Sequence, residues 1–156
     1  MRLSATFMST ATCSKVTAVT EISFTVPGKP MGKQRARLGK GRTYTPRETV
    51  NYETLVKQIY IMQHFAKQLE GPIEGEITAY YPIPQSAGKK KREQMLAGMI
   101  RPTTKPDWDN IGKIVCDSLN GLAYRDDAYI VECVVRKFYS DSPRVEVRLW
   151  EAGRNG

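Results

Sequence analysis

Four aspartates, Asp107, Asp109, Asp126 and Asp127, bracket one short stretch of an otherwise basic chain, KPDWDNIGKIVCDSLNGLAYRDD over residues 105–127. Carboxylates gathered in this way repel one another: at an effective dielectric of about 20, two of them ~5 Å apart cost roughly 3 kcal/mol. A fold that brings the two pairs together therefore needs a cation between them. Oxygen donors without neighbouring His or Cys suit Mg²⁺ or Mn²⁺ better than zinc. Such an ion activates water and stabilises the charge that develops in phosphoryl transfer. Lys113 stands four residues after Asp109, on the same face of a helix, where it can orient Asp109 or meet a phosphate. Asp117 lies a further four along and either joins the site or only pairs with Lys113.

A plainer reading fits the same residues. Asp107 and Asp109 would be helix caps, Asp126 and Asp127 a solvated turn, and Lys113 half of a surface ion pair worth at most ~0.5 kcal/mol. DxD and DD are common, so spacing alone leaves both readings open. Two other acidic motifs fail. PDWDNIGK lacks the third oxygen ligand, the glycine position and the distal Glu of an EF-hand loop. A DxDxT phosphatase nucleophile needs Thr where Ile111 stands.

The elements that must hold these residues are legible from periodicity. Ile111, Ile114, Val115, Ser118 and Leu119 form the inward stripe of a helix that Asp107 or Asp109 can cap and that Asn120-Gly121 ends. A helix of about 11 residues is only ~16 Å long, so the loop beyond it can return Asp126 and Asp127 to face its start. Ile22, Phe24 and Val26 alternate before Pro27, as do Ile77, Ala79 and Tyr81 within EITAYYPI, and both runs read as strands. Between them, Thr45, Pro46 and Glu48 suggest a capping box with proline at the first helical position. The helix they open has an apolar face of Tyr52, Leu55, Val56, Ile59, Phe65 and Ala66 and is expected to run until Gly71-Pro72. Val131, Cys133 and Val135, then Val145, Val147 and Leu149, alternate on either side of SDSP and read as an antiparallel hairpin.

Composition narrows the class. With 156 residues, 40% of them apolar, the chain is one domain with enough apolar residues for a core. A formal net charge of +8 favours a polyanionic partner, because neutralising phosphates releases condensed counterions. Cys13, Cys116 and Cys133 give neither a disulfide framework nor a zinc site, and a reducing cytoplasm fits them best. No apolar run approaches the ~20 residues of a membrane span. The first twenty residues lack the continuous apolar core of a secretory signal.

Positive charge is concentrated in two places. Residues 28–46, GKPMGKQRARLGKGRTYTP, read as a loop carrying Lys33, Arg35 and Arg37 with no acidic residue, suited to gripping phosphates. Lys89, Lys90, Lys91 and Arg92 open a short basic helix that either follows a DNA backbone or is exposed surface. Tyr44, Tyr80, Tyr81 and Tyr124 are candidates for stacking on unpaired bases, although aromatic residues more often pack in a core or at its rim. His64, the one histidine, is assigned no catalytic part.

Taken in order, GKPMGKQRARLGKGRTYTP before a helix, YYPIPQSAGKKKR, KPDWDN, Lys113, DSLNGLAY and DD resemble the RusA family of Holliday junction resolvases over roughly residues 22–150. Several separated motifs in one order are far more specific than any DxD. Trp108 stands where the family commonly has Leu. The resemblance implies a single α+β domain over residues 22–151, with a mixed, mostly antiparallel sheet packed on helices. It leaves residues 1–21 as a poorly ordered extension and 152–156 as a short tail. It further implies a homodimeric, Mg²⁺-dependent endonuclease (Mn²⁺ being an alternative) of bacterial or phage origin, acting in the cytoplasm on four-way DNA junctions by paired symmetric nicks. Asp107, Asp109 and Asp127 would be its metal-binding catalytic carboxylates, with Lys113 assisting and Asp126 supporting the metal site. Two competing functions stand beside this one: a basic junction-binding protein without catalysis, and a metal-dependent nuclease for other branched DNA.

Overall fold

Alternating apolar residues build a four-stranded sheet, and helical stripes cover one of its faces. The computed structural model describes residues 20–65 and 67–153. Strand β1 (Glu21–Pro27) is followed by a small hairpin of β2 (Arg37–Gly39) and β3 (Arg42–Tyr44), then helix α1 (Arg47–His64) and strand β4 (Ile73–Pro82). Helices α2 (Lys89–Leu96) and α3 (Trp108–Ser118) come next, then a 3₁₀ turn (Asp127–Tyr129) and strands β5 (Ile130–Ser140) and β6 (Arg144–Glu151). The protein is thus a small α+β domain. Glu21, assigned to the N-terminal extension by the sequence reading, opens β1; residues 1–19 and 154–156, the rest of the extension and most of the tail, lie outside the described residues.

The sheet order is β1-β6-β4-β5, with β4 and β5 parallel and the other two pairings antiparallel. This corrects the expected hairpin of the last two strands. β4 lies between them, and the connection over residues 141–143 steps across its end. Ile22, Phe24, Val26, Ile77, Ala79, Tyr81, Val145, Val147 and Leu149 form the buried face of the sheet. Its other face is solvated and laced with ion pairs, among them Glu76 with Arg136 and Arg148. One covered and one wet face is the reason the strands alternate so cleanly.

α3 buries Ile111, Ile114, Val115 and Ser118, with Leu119 just beyond it, as its stripe requires. Gly112 brings it close to β5: a Cβ there would sit 3.2 Å from Val135 Cγ2. α1 buries Thr49, Tyr52, Val56 and Tyr60, while Leu55 and Ile59 pack partly against the core.

Several sequence expectations for α1 are revised. Pro46 occupies the N-cap position, so Arg47 is the first helical residue and no side-chain capping bond forms. The helix ends at His64, well before Gly71, because Phe65 adopts a positive φ of 53°. Phe65 is consequently 82% exposed and leaves the apolar face; Ala66 lies outside the described residues. His64 packs on Phe24 and Tyr60, with its Nε2 2.8 Å from the Ser23 carbonyl. The supposed loop over residues 28–46 contains the β2–β3 hairpin, whose turn has positive φ at Lys40 and Gly41, the combination a two-residue hairpin favours.

Candidate functional site

The start of α3 is fixed from outside the helix. In the linker after α2, Arg101 Nε donates to the Lys137 carbonyl (2.6 Å), Lys137 Nζ to the Thr104 carbonyl (2.7 Å) and Tyr81 Oη to the Pro106 carbonyl (2.5 Å). These bonds tie the linker to the sheet and set where Asp107 emerges. Asp107 is the N-cap residue, and its carbonyl accepts the Ile111 N–H at 3.1 Å. Its side chain makes no capping bond. The carboxylate is therefore not committed to the helix terminus, against the plainer reading.

Asp107 and Asp109 diverge. They are two residues apart, which in a helix is about 200° of rotation. Asp109 lines a cavity of about 240 Å³ together with Lys113, Asp117, Asp127, Cys116 and Cys133. Asp107 lines a neighbouring cavity of about 440 Å³ together with Lys29, Lys33, Gln34, Lys105 and Asn110. Burial pulls the Lys137 ammonium below its ordinary range, and Asp107 only partly restores it. Burial, helped by Asp107, raises the Tyr81 hydroxyl to about 12.

Asp126 and Asp127 return beside α3 on the 3₁₀ turn. Asp126 caps that turn, its Oδ1 accepting the Ala128 N–H at 2.8 Å. The Asp127 carboxyl is held above its ordinary range by burial first, and then by hydrogen bonding to Asp126 and the negative charge of Asp117. Crowded carboxylates of this kind favour a cation. Their hard oxygen donors fit Mg²⁺ or Mn²⁺. Among the described residues, however, no three His, Cys, Asp or Glu side chains stand ready to close round an ion. The thiols of Cys116 and Cys133 both line this cavity, and Tyr124, fully buried, donates its hydroxyl to the Cys116 carbonyl at 2.6 Å.

The basic residues separate into paired and unpaired ones. Lys33 lies between Glu53 of α1 and Asp117 of α3, with Nζ to Asp117 Oδ2 at 3.3 Å. Burial pulls its ammonium down, but the two carboxylates outweigh this and leave it above the ordinary lysine value. Arg35 and Arg37 are exposed and make no ion pair among the described residues. On α2, Lys89, Lys90 and Lys91 are exposed, whereas Arg92 pairs with Asp141. Of the tyrosines, Tyr81 and Tyr124 are buried, Tyr80 lies against Phe138 and under Arg144, and Tyr44 is exposed on the hairpin. The pairing of Lys33 and the proximity of Cys116 to Cys133 escape sequence reading because their partners lie on different elements. Asp117 had one local signal, its i+8 spacing from Asp109.

The domain thus carries a carboxylate-lined cavity beside a lysine-lined one. Over residues 27–150 the chain matches the family model described as Endodeoxyribonuclease RusA, and it belongs to that family. It is also similar to the uncharacterized protein YqaN of Bacillus subtilis (strain 168), with 38% identity over 136 residues, covering 83% of this chain and 96% of the relative. No helix among the described residues is long and apolar enough to cross a membrane.

Proposed function

We propose that the protein is a divalent-metal-dependent endonuclease that resolves four-way DNA junctions. The observation that carries this reading is the meeting of Asp109, Lys113, Asp117 and Asp127 on one cavity wall in a member of an endodeoxyribonuclease family. Asp109 and Asp127 would hold Mg²⁺ or Mn²⁺, with Asp107 contributing from the other side of the α3 terminus and Asp126 supporting Asp127. When bound, such an ion supplies Lewis acidity and an activated water for in-line attack on a phosphodiester.

The chain's own groups do the rest. Lys113 offsets negative charge where the scissile phosphate meets the acidic wall. Lys29 and Lys105, in the adjoining cavity, receive the flanking phosphates. Arg37 on the hairpin and Arg35 just before it grip a junction arm, and Lys89, Lys90, Lys91 and Arg92 follow a second one. Two symmetric nicks require two sites, which a C2 homodimer supplies. The setting is the cytoplasm of a bacterium, whether the chain is encoded by the host or by a phage.

Cleavage assays with four-way, Y-shaped and linear duplex DNA, with and without Mg²⁺, test this reading. Paired nicks in the four-way junction alone, dependent on Mg²⁺, are expected. Equal cutting of Y-shaped DNA would make the protein a broader branched-DNA nuclease. Salt-sensitive junction binding with no cutting in any metal would reduce it to a binding protein.

A further inference from the structure

Lys33, one of the basic residues singled out for DNA contact, is held by two protein carboxylates. Lys33 is 25% exposed, and its ammonium sits between Glu53 and Asp117, which are 18% and 25% exposed. An ammonium has three donors, and two face these partners. The backbone around it is docked as firmly. The Lys33 N–H donates to the Asn110 carbonyl in the first turn of α3 at 2.9 Å. Gly32 lies so close to that turn that a Cβ would stand 2.7 Å from Pro106 Cβ and 3.0 Å from Asn110 Cβ. Lys33 thus links α1, the docked loop and both ends of α3.

Asp117, one of its two partners, lies beside Asp127 in the acidic cavity. Arg35 and Arg37, only two and four residues further along, are exposed and have no such partners among the described residues. From this contrast we propose that Lys33 is a positioning residue of the acidic site rather than a phosphate contact: it fixes Asp117 and, through it, the Asp127 carboxylate that would take the cation. The inference rests on the nuclease reading and adds a residue that acts through another.

The test compares Lys33→Met, Lys33→Arg, Asp117→Asn and the Lys33→Met/Asp117→Asn double variant, each checked for folding by circular dichroism. Mn²⁺ affinity is read by electron paramagnetic resonance, and four-way junction binding is read in EDTA across a salt series. Lys33→Met is expected to weaken Mn²⁺ binding roughly tenfold while leaving junction affinity within twofold and the salt slope unchanged. Lys33→Arg keeps the charge and should recover most of the Mn²⁺ affinity. In the Asp117→Asn background, Lys33→Met should add less than twofold, because the two act as one unit. Should Lys33→Met not fold, Lys33→Arg set against Asp117→Asn decides: Mn²⁺ affinity near wild type in the first and weakened in the second supports the inference, and any other pair of results overturns it. A shallower salt slope in Lys33→Met with Mn²⁺ binding intact would overturn the proposal, as would Mn²⁺ losses that multiply independently in the double variant. If the wild type binds Mn²⁺ and cuts junctions but Lys33→Met behaves like it, only this inference falls. If the wild type does neither, the nuclease reading falls and takes this one with it.

Discussion

The two cavities beside the first turn of α3 are neighbours of opposite character. One is walled by Asp109, Asp117 and Asp127 with a single lysine, Lys113. The other is walled by Lys29, Lys33 and Lys105 with a single aspartate, Asp107. What separates them is the helix itself, whose rotation sends the two carboxylates of one DxD motif to different sides. In this structure the DxD at the helix start therefore lines both cavities. It is a divider, giving each cavity one carboxylate, and the sign of each cavity is set by what the basic loop and the returning Asp126-Asp127 turn add.

The largest expected effects test whether both cavities serve one reaction. Asp109→Asn and Asp107→Asn should each lower Mg²⁺-dependent junction cleavage by roughly 10³-fold or more, the scale of losing preorganised electrostatic stabilisation at a reacting centre. Junction binding should hold or tighten in both, since a neutral amide no longer repels phosphate. Single-turnover cleavage paired with gel-shift titration measures the two quantities separately. Near-normal cleavage by Asp107→Asn beside an inactive Asp109→Asn would break the symmetry and confine the chemistry to the smaller cavity. Full activity in both would remove the site altogether.

A smaller effect sharpens the basic side of the comparison. Arg35→Ala and Arg37→Ala each remove one exposed cation from the hairpin or the loop leading into it, so each should reduce the log-log salt slope of junction binding by about 1. Affinity should fall several-fold at moderate salt while the metal response stays as in the wild type. Fluorescence anisotropy across a salt series reads both. An unchanged slope in the pair would show that this segment points away from DNA, and Lys29 and Lys105 of the larger cavity would then carry the contact.

Much of this arrangement is written in local periodicity. Ile111, Ile114, Val115, Ser118 and Leu119 mark the buried side of α3 by spacing alone, and Asp109, Lys113 and Asp117 follow on its open side at i, i+4 and i+8. The strand faces of Ile22, Phe24 and Val26, and of Ile77, Ala79 and Tyr81, were legible for the same reason. Non-local partnership was not. Nothing within residues 130–151 tells that β4 inserts between β5 and β6, because alternation specifies which side of a strand is apolar and not which strand lies next to it. Nothing around Lys33 names Glu53 or Asp117, twenty and eighty-four residues away. The capping box failed for a local reason: proline took the N-cap position itself and has no side-chain acceptor.

The smallest effect separates fold stability from both cavities. Tyr52 is buried on α1, and its hydroxyl has no hydrogen-bond partner among the described residues. A buried hydroxyl left unpaired costs folding free energy, so Tyr52→Phe should gain about 1 kcal/mol, or about 3 °C in melting temperature for a domain of this size. Burial also raises the Tyr52 hydroxyl from 10.0 to about 12. The folded state therefore keeps the phenol protonated where the unfolded chain ionises it, and wild-type stability from this group is complete below pH 10 and lost as the pH rises toward 12. Tyr52→Phe is free of that loss, so its advantage should widen through this window, by roughly 2–3 kcal/mol at the upper end. Urea melts at pH 7 and near pH 11 check the sign. A loss of stability at pH 7 would mean that the hydroxyl is partnered by water, whereas the expected gain, with cleavage and junction binding unchanged, would show that α1 can be stabilised without disturbing either cavity.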